Sequence, residues 1–126
     1  MARILLTGNR GFFGSRFHRV HDGEHEIVGV DKAEIDIVDS SSVREVMQRT
    51  RPELVIHAAA ITSTEFSNEN PELTWRINVD GAKNIAAAAA DAGAKLIFFS
   101  TEQVFNGNSE SGPYTEESVP RPDTMY

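Results

Sequence analysis

The chain has no cysteine, which excludes a disulfide framework and a thiolate-bound zinc. No apolar run approaches the ~18 residues that a membrane-crossing helix needs. Basic residues are the minority charge, 12 lysines and arginines against 19 aspartates and glutamates for a formal charge of -7, a balance that disfavours nucleic acid as a partner. An anionic small molecule stays open, because a helix terminus or a glycine backbone acts locally. There is little chain to spare: 126 residues supply one core, not a cofactor fold together with a separate substrate lobe. A strand is expected to begin within the first three residues, and with it no signal peptide is expected. The expectation from these absences is a cytoplasmic protein with no membrane, nucleic-acid or metal partner.

What is present is organised around Arg3-Ile-Leu-Leu-Thr-Gly-Asn-Arg-Gly-Phe-Phe-Gly-Ser-Arg-Phe17, an apolar run ending in three glycines that open into a segment with helical periodicity. It reads as strand, tight turn, helix. Gly8 lets the chain leave the strand in a conformation that a side chain would hinder. Gly11 admits a pyrophosphate against bare backbone, and Gly14 lets the helix pack close to the sheet. The helix N-terminus then faces the phosphates. The spacing is G-x-x-G-x-x-G rather than the commoner G-x-G-x-x-G. Asp31 strengthens the reading, because it ends the next apolar run and stands where a carboxylate accepts hydrogen bonds from an adenosine ribose.

Beyond the turn, Glu34-Ile-Asp-Ile-Val38 alternates as a short third strand, with Asp36 near its end. Asp39 caps a helix whose stripe is Val43, Val46 and Met47 and which Arg51-Pro52 stops. Leu54 to His57 is an apolar strand of the kind buried on both faces, followed by the small residues Ala58, Ala59 and Ala60, against which a ligand can lie. Asn70-Pro71 starts one long helix running to Gly93, in which Asn78 is a poor helix former whose amide is expected to bond a backbone outside the helix. Lys95 to Ser100 is the last strand. His18, His21 and His25 are expected to be exposed turn histidines rather than ligands, since Gly23 breaks the helix between them. Strands alternating with helices give an α/β fold, a Rossmann-type doubly wound parallel sheet. From Asn106 to Tyr126 the chain is polar, without periodicity. Thr101, just past the last strand, and Tyr126 together suit hydride transfer, a phenol giving a proton to a carbonyl oxygen that a hydroxyl holds.

Thr7-Gly-Asn-Arg-Gly-Phe-Phe-Gly14, Asp36-Ile-Val-Asp39, His57-Ala-Ala-Ala60, Asn78-Val79 and Ser100-Thr-Glu-Gln-Val-Phe-Asn-Gly107 together resemble the extended short-chain dehydrogenase/reductases. Within them the chain is most similar to the dTDP-4-dehydrorhamnose reductase branch. The resemblance implies a reductase of a 4-keto nucleotide sugar, with NAD or NADP as cofactor and NAD favoured, because Asp31 opposes a 2′-phosphate that Arg10 would attract. It makes Thr101 the hydroxyl that orients the substrate carbonyl and Tyr126 the general acid. The turn of Gly8, Asn9, Arg10, Gly11, Phe12, Phe13 and Gly14 would hold the pyrophosphate, Asp31 the ribose, Asp36 and Ile37 the adenine, and Ala58 to Ala60 the cofactor's middle, with Phe99 counted among the cofactor contacts.

Glu102 and Gln103 stand where that branch usually has Asp and Tyr, and Ser63 to Phe66 differs from its usual loop. The family's lysine, four residues after the tyrosine, has no counterpart here. The expectation is therefore that residues 1–126 are the amino-terminal, NAD(P)-binding portion of such a reductase. On that reading the substrate lobe is absent, the sheet is incomplete on its carboxyl-terminal side, and an apolar edge beside Leu96 and Phe98 favours self-association. Epimerase or dehydratase chemistry on a similar sugar, and a non-catalytic nucleotide-binding or regulatory module, are the alternatives.

Overall fold

A computed structural model describes residues 1–108 and 112–126. The first strand, β1 (Arg3–Thr7), turns directly into α1 (Phe12–His21), and β2 (Glu26–Val30), α2 (Ser40–Thr50) and β3 (Leu54–His57) follow. Next come α3 (Thr64–Glu69), α4 (Pro71–Trp75), a π-helical turn (Arg76–Gly81), α5 (Ala82–Asp91) and β4 (Lys95–Phe98), with a short 3-10 turn at Glu102–Val104. The four strands form one parallel sheet in the order β2-β1-β3-β4. A parallel sheet needs helices across its faces, and alternate residues of β1 serve the two sides. Leu5 packs with Val43, Val46 and Met47 of α2 and Ile85, Ala88 and Ala89 of α5, whereas Ile4 and Leu6 join Ile56 and Phe17 of α1.

Four expectations are corrected by the structure. Glu34 to Val38 is not a strand. The Asp31 carbonyl accepts from Glu34 N and Ile35 N at 2.9 and 3.0 Å, closing a turn, and the Asp36 N–H donates to Ser42 Oγ at 3.0 Å. The alternation still reports burial, since Ile35 and Ile37 are in the core and Asp36 is exposed. The single helix expected from Pro71 to Gly93 is α4, the π-helical turn and α5 in succession. Ser63 to Phe66, read as loop, enters α3, which Ser63 caps by accepting from Phe66 N at 3.1 Å. The last strand also ends two residues early, at Phe98. Asp39 does cap α2, accepting from Ser41 N at 2.8 Å. Asn78 does bond outside its helix, to both the N–H and the carbonyl of Ile61 at 2.8 Å.

The carboxyl ends of β1 and β3 are joined by a buried polar contact. Thr7 Oγ1 lies 2.7 Å from His57 Nδ1 and accepts from Ala59 N at 3.2 Å. The two groups share this one hydrogen bond, whose direction follows the tautomer of the neutral ring. Burial lowers the His57 pKa from 6.5 to about 4. Because the folded value lies below the unfolded one, this contribution to stability is complete above pH 6.5. It is lost as the pH falls toward 4, at about 1.4 kcal/mol per pH unit and about 3 kcal/mol in all. Urea midpoints measured from pH 7 to pH 4 should therefore fall more steeply for the native chain than for His57→Asn, whose amide oxygen can still accept from Thr7. Parallel curves would show that the histidine is not held neutral.

Candidate cofactor site

The turn after β1 is built by backbone contacts. Gly8 has φ +73°, and a Cβ there would stand 2.9 Å from the carbonyl carbon and oxygen of Ala58 and from Ala59 N. Gly8 N donates to the Val30 carbonyl and Gly11 N to the Gly8 carbonyl, each at 3.0 Å. A Cβ on Gly14 would collide with the Gly8 carbonyl oxygen, so what this glycine admits is the turn itself rather than the sheet. No side chain caps α1 at Gly11, so its first-turn N–H groups remain available to an anion, with the helix dipole behind them.

These elements open onto a cleft of about 600 Å³ at the carboxyl ends of the strands. Gly8, Gly11, Asp31, Asp36, Ile37, Ala58, Ala59 and Ala60 line it, so much of the expected cofactor set is gathered in one place. The site also includes Lys32, Ile35, Val38, Ile61, Leu73, Arg76 and Ile77, which the sequence reading missed. Lys32 adjoins Asp31 and could have been noted there. Arg76 and Ile77 are brought in by the π-helical turn, which carries no pattern of its own.

The remaining expected residues lie elsewhere. The Asn9 side chain packs on Gly29 and its Oδ1 lies 2.7 Å from His18 Nδ1, so it braces α1 against β2. Phe12 is 83% exposed with the Arg16 guanidinium 4.9 Å from its ring centroid, and Phe13 packs on Phe99 at 4.4 Å. Thr101 Oγ1 accepts from Gln103 N at 3.2 Å and donates to Glu102 at 3.1 Å, which makes it the cap of the 3-10 turn. Tyr126 makes no hydrogen bond among the described residues, and neither it nor Thr101 lines the cleft. His21 and His25 are half-buried rather than exposed; the first is 2.8 Å from Glu24, whose pKa that contact lowers, and the second accepts from Ala2 N at 3.3 Å. Among the described residues no cluster of three or more possible metal ligands occurs.

Electrostatically the rim is a small network. Both carboxylate oxygens of Asp31 accept from Arg10 N at 3.1 Å, and the Arg10 guanidinium lies 3.7 Å from Asp31 and 3.5 Å from Glu34. Asp31 thus ties the glycine turn to the end of β2. A carboxylate offers about four lone-pair sites, so it can still accept from a ribose. Asp36 Oδ1 accepts from Val38 N at 3.0 Å, holding its own loop. A cradle that side chains would fill, an uncapped helix terminus and a carboxylate at the end of β2 fit a dinucleotide cofactor.

A family model described as RmlD substrate binding domain matches residues 2–126. The chain belongs to that family. It is 30% identical to the methionine adenosyltransferase 2 subunit beta of Pongo abelii over 98% of this chain and 39% of that protein. It is 31% identical to the dTDP-4-dehydrorhamnose reductase of Aggregatibacter actinomycetemcomitans over 100% of this chain and 43% of that one. The crystal structure of dTDP-4-dehydrorhamnose reductase from Bacillus anthracis in complex with NADP superposes with a TM-score of 0.93 and 36% identity, covering 99% of this chain and 45% of that one. A UDP-glucose 4-epimerase from Thermus thermophilus in complex with NAD superposes at 0.88 with 29% identity, covering 98% and 46%. The fold is that of the Rossmann reductases and epimerases, and this RmlD-family chain spans less than half the length of each of these proteins.

Two glycines with the same backbone habit separate the turn's crowding from its strain. Gly93 has φ +68° with nothing within 4 Å of a Cβ, whereas Gly8 is both left-handed and crowded. Gly93→Ala should lower the unfolding free energy by about 1 kcal/mol. Gly8→Ala should lower it by roughly 2–4 kcal/mol, because backbone must also move. Denaturant titration measures both, and equal losses would show that the contact with Ala58 is not tight.

Proposed function

We propose that this chain is the cofactor-binding portion of an NAD(P)-dependent reductase acting on a 4-keto nucleotide sugar. The observation that carries the reading is the glycine cradle and Asp31 at the strand ends, in a chain that matches an NADP-bound dTDP-4-dehydrorhamnose reductase along 99% of its length. On this reading the free N–H groups at the uncapped start of α1 hold the pyrophosphate, which the bare backbone of Gly8 and Gly11 lets approach, Asp31 holds the ribose, Asp36 and Ile37 the adenine, and Ala58 to Ala60 lie along the middle of the cofactor. Asn9, Phe13 and Phe99 brace the turn from outside, and Arg10 screens Asp31. The bound nicotinamide supplies hydride to the sugar carbonyl. Thr101 and Tyr126 are assigned to that carbonyl, and this requires the Thr101 hydroxyl to leave Glu102. A cytoplasmic setting accompanies the reading, and the exposed edge of β4 supports self-association.

NAD is favoured over NADP. Asp31 lines the cleft, while Arg10 is already committed to Asp31 and Glu34 and must leave them to meet a 2′-phosphate. The Arg10 side chain is 74% exposed, so its pairs are worth at most about 1 kcal/mol, and the preference is modest. Titration of both cofactors should give tighter binding of NAD, and Asp31→Asn should move the ratio toward NADP by about tenfold, the equivalent of roughly 1.4 kcal/mol. NADP binding tenfold tighter than NAD in the unaltered chain would refute the assignment.

A second reading, a binding subunit without catalysis, is favoured by one observation: Glu102, where the reductase branch has Asp, occupies the Thr101 hydroxyl. One assay separates the two. A protein joining residues 1–126 to a substrate lobe should consume reduced cofactor with a 4-keto-6-deoxy nucleotide sugar, whereas the 126-residue chain alone should bind cofactor without turnover, since Tyr126 has no hydrogen bond among the described residues to hold it in place and loose positioning forfeits rate. Cofactor binding with no consumption by the longer protein favours the subunit; conversion of a simple UDP-sugar favours the epimerase alternative.

A further inference from the structure

The loop carrying Asp36 and Ile37 is held from behind by α5 and the π-helical turn. Asn84 Nδ2 donates to the carbonyls of both Ile37 and Val38 at 3.0 Å, which pins the loop's backbone. The Ile37 side chain lies on the bare backbone of Gly81, where a Cβ would stand 2.8 Å from its Cγ1 and Cδ1. Gly81 is in the interior of a helical segment and makes no turn, so conformational freedom does not explain a glycine there, and helix propensity opposes it. What the missing side chain does is leave room for Ile37.

Ile37 also lines the cleft. With its backbone pinned by Asn84 and its side chain part of the core cluster that includes Val43 and Ile85, a side chain pushed off Gly81 has the cleft to move into. We infer that Gly81 is a positioning residue that sets the depth of the base pocket through Ile37, so that the size of residue 81 decides how large a base the cleft admits. The inference rests on the cofactor reading above.

The test measures binding of ADP and of its larger 1,N6-etheno analogue to the native chain, to Gly81→Ala and to Gly81→Ala with Ile37→Val, alongside melting temperatures. An added methyl in a fitted pocket should weaken ADP by about tenfold or more, and the etheno analogue further still. Ile37→Val in the same protein should bring ADP back to within about threefold of the native affinity. A general loosening of the fold would lower melting and weaken both ligands alike, without rescue. Native-like ADP binding by Gly81→Ala, or a loss that Ile37→Val does not restore, overturns the inference. Failure of the native chain to bind ADP overturns the cofactor reading and the inference with it.

Discussion

Everything at the cleft depends on how closely the backbone leaving β1 passes the backbone leaving β3. Gly8 makes that approach, with room for no more than a hydrogen between its Cα and the Ala58–Ala59 peptide. Next to it the Thr7 hydroxyl bonds His57 on one side and Ala59 N on the other. Parallel strands leave their carboxyl-end amides and carbonyls unpaired. Here those groups are used to draw three chain ends together, through Gly8 N to the Val30 carbonyl and Ala58 N to the Thr7 carbonyl. The cleft is the space beyond this knot. Its walls differ in kind, backbone and small residues on the strand side and larger side chains on the helix side.

The helix side is held by amides rather than by apolar packing alone. Asn78 clamps Ile61 and Asn84 clamps Ile37 and Val38, so one helical segment fixes two loops that line the cleft. Each of these half-buried amide to backbone bonds contributes about 1 kcal/mol net. Loops held this way have little freedom to adapt, which suits a site that recognises a rigid base. On the rim the charges are exposed and exchangeable. Arg10, Asp31 and Glu34 can re-pair around a ligand at small energetic cost.

How much of this could be read from the residues follows from which interactions are local. The strand, turn and helix from Arg3 to His21 were legible because apolar runs and glycines act within a few residues, and Asp39 and Asn78 because a poor helix former announces a side-chain bond. Glu34 to Val38 was misread as a strand for a specific reason. Its alternation records that Ile35 and Ile37 are buried, but its backbone bonds are those of a turn, to the Asp31 carbonyl and to the Asp36 and Ser42 side chains, with Asn84 holding the Ile37 and Val38 carbonyls from far along the chain. The π-helical turn carries no periodic signal distinct from an α-helix, so Arg76 and Ile77 could not be placed in the cleft. Thr101 was expected on chemistry and resemblance, and nothing in its neighbours' spacing indicated that Glu102 takes its hydroxyl.

The pieces differ in how far they depend on one another. The cofactor cleft is assembled from contacts among β1, β2, β3 and α5 and from short loops between them, so its geometry is over-determined. Past β4 the determinants thin out. Ile97 and Phe98 are 46% and 55% exposed on an edge strand, and the following segment is held by the Phe105–Tyr114 stack at 4.3 Å, the Arg121 N–H to Val104 carbonyl bond at 2.8 Å and the Thr64–Gln103 contact at 3.3 Å. Hydride transfer needs its hydroxyl and phenol fixed to a fraction of an ångström, whereas holding a dinucleotide needs only the cradle. On the proposed reading, binding and chemistry are therefore separable in this chain. The groups proposed to hold a cofactor are set by the chain's own core, and those proposed to act on a carbonyl stand on a segment beside the exposed Ile97 and Phe98.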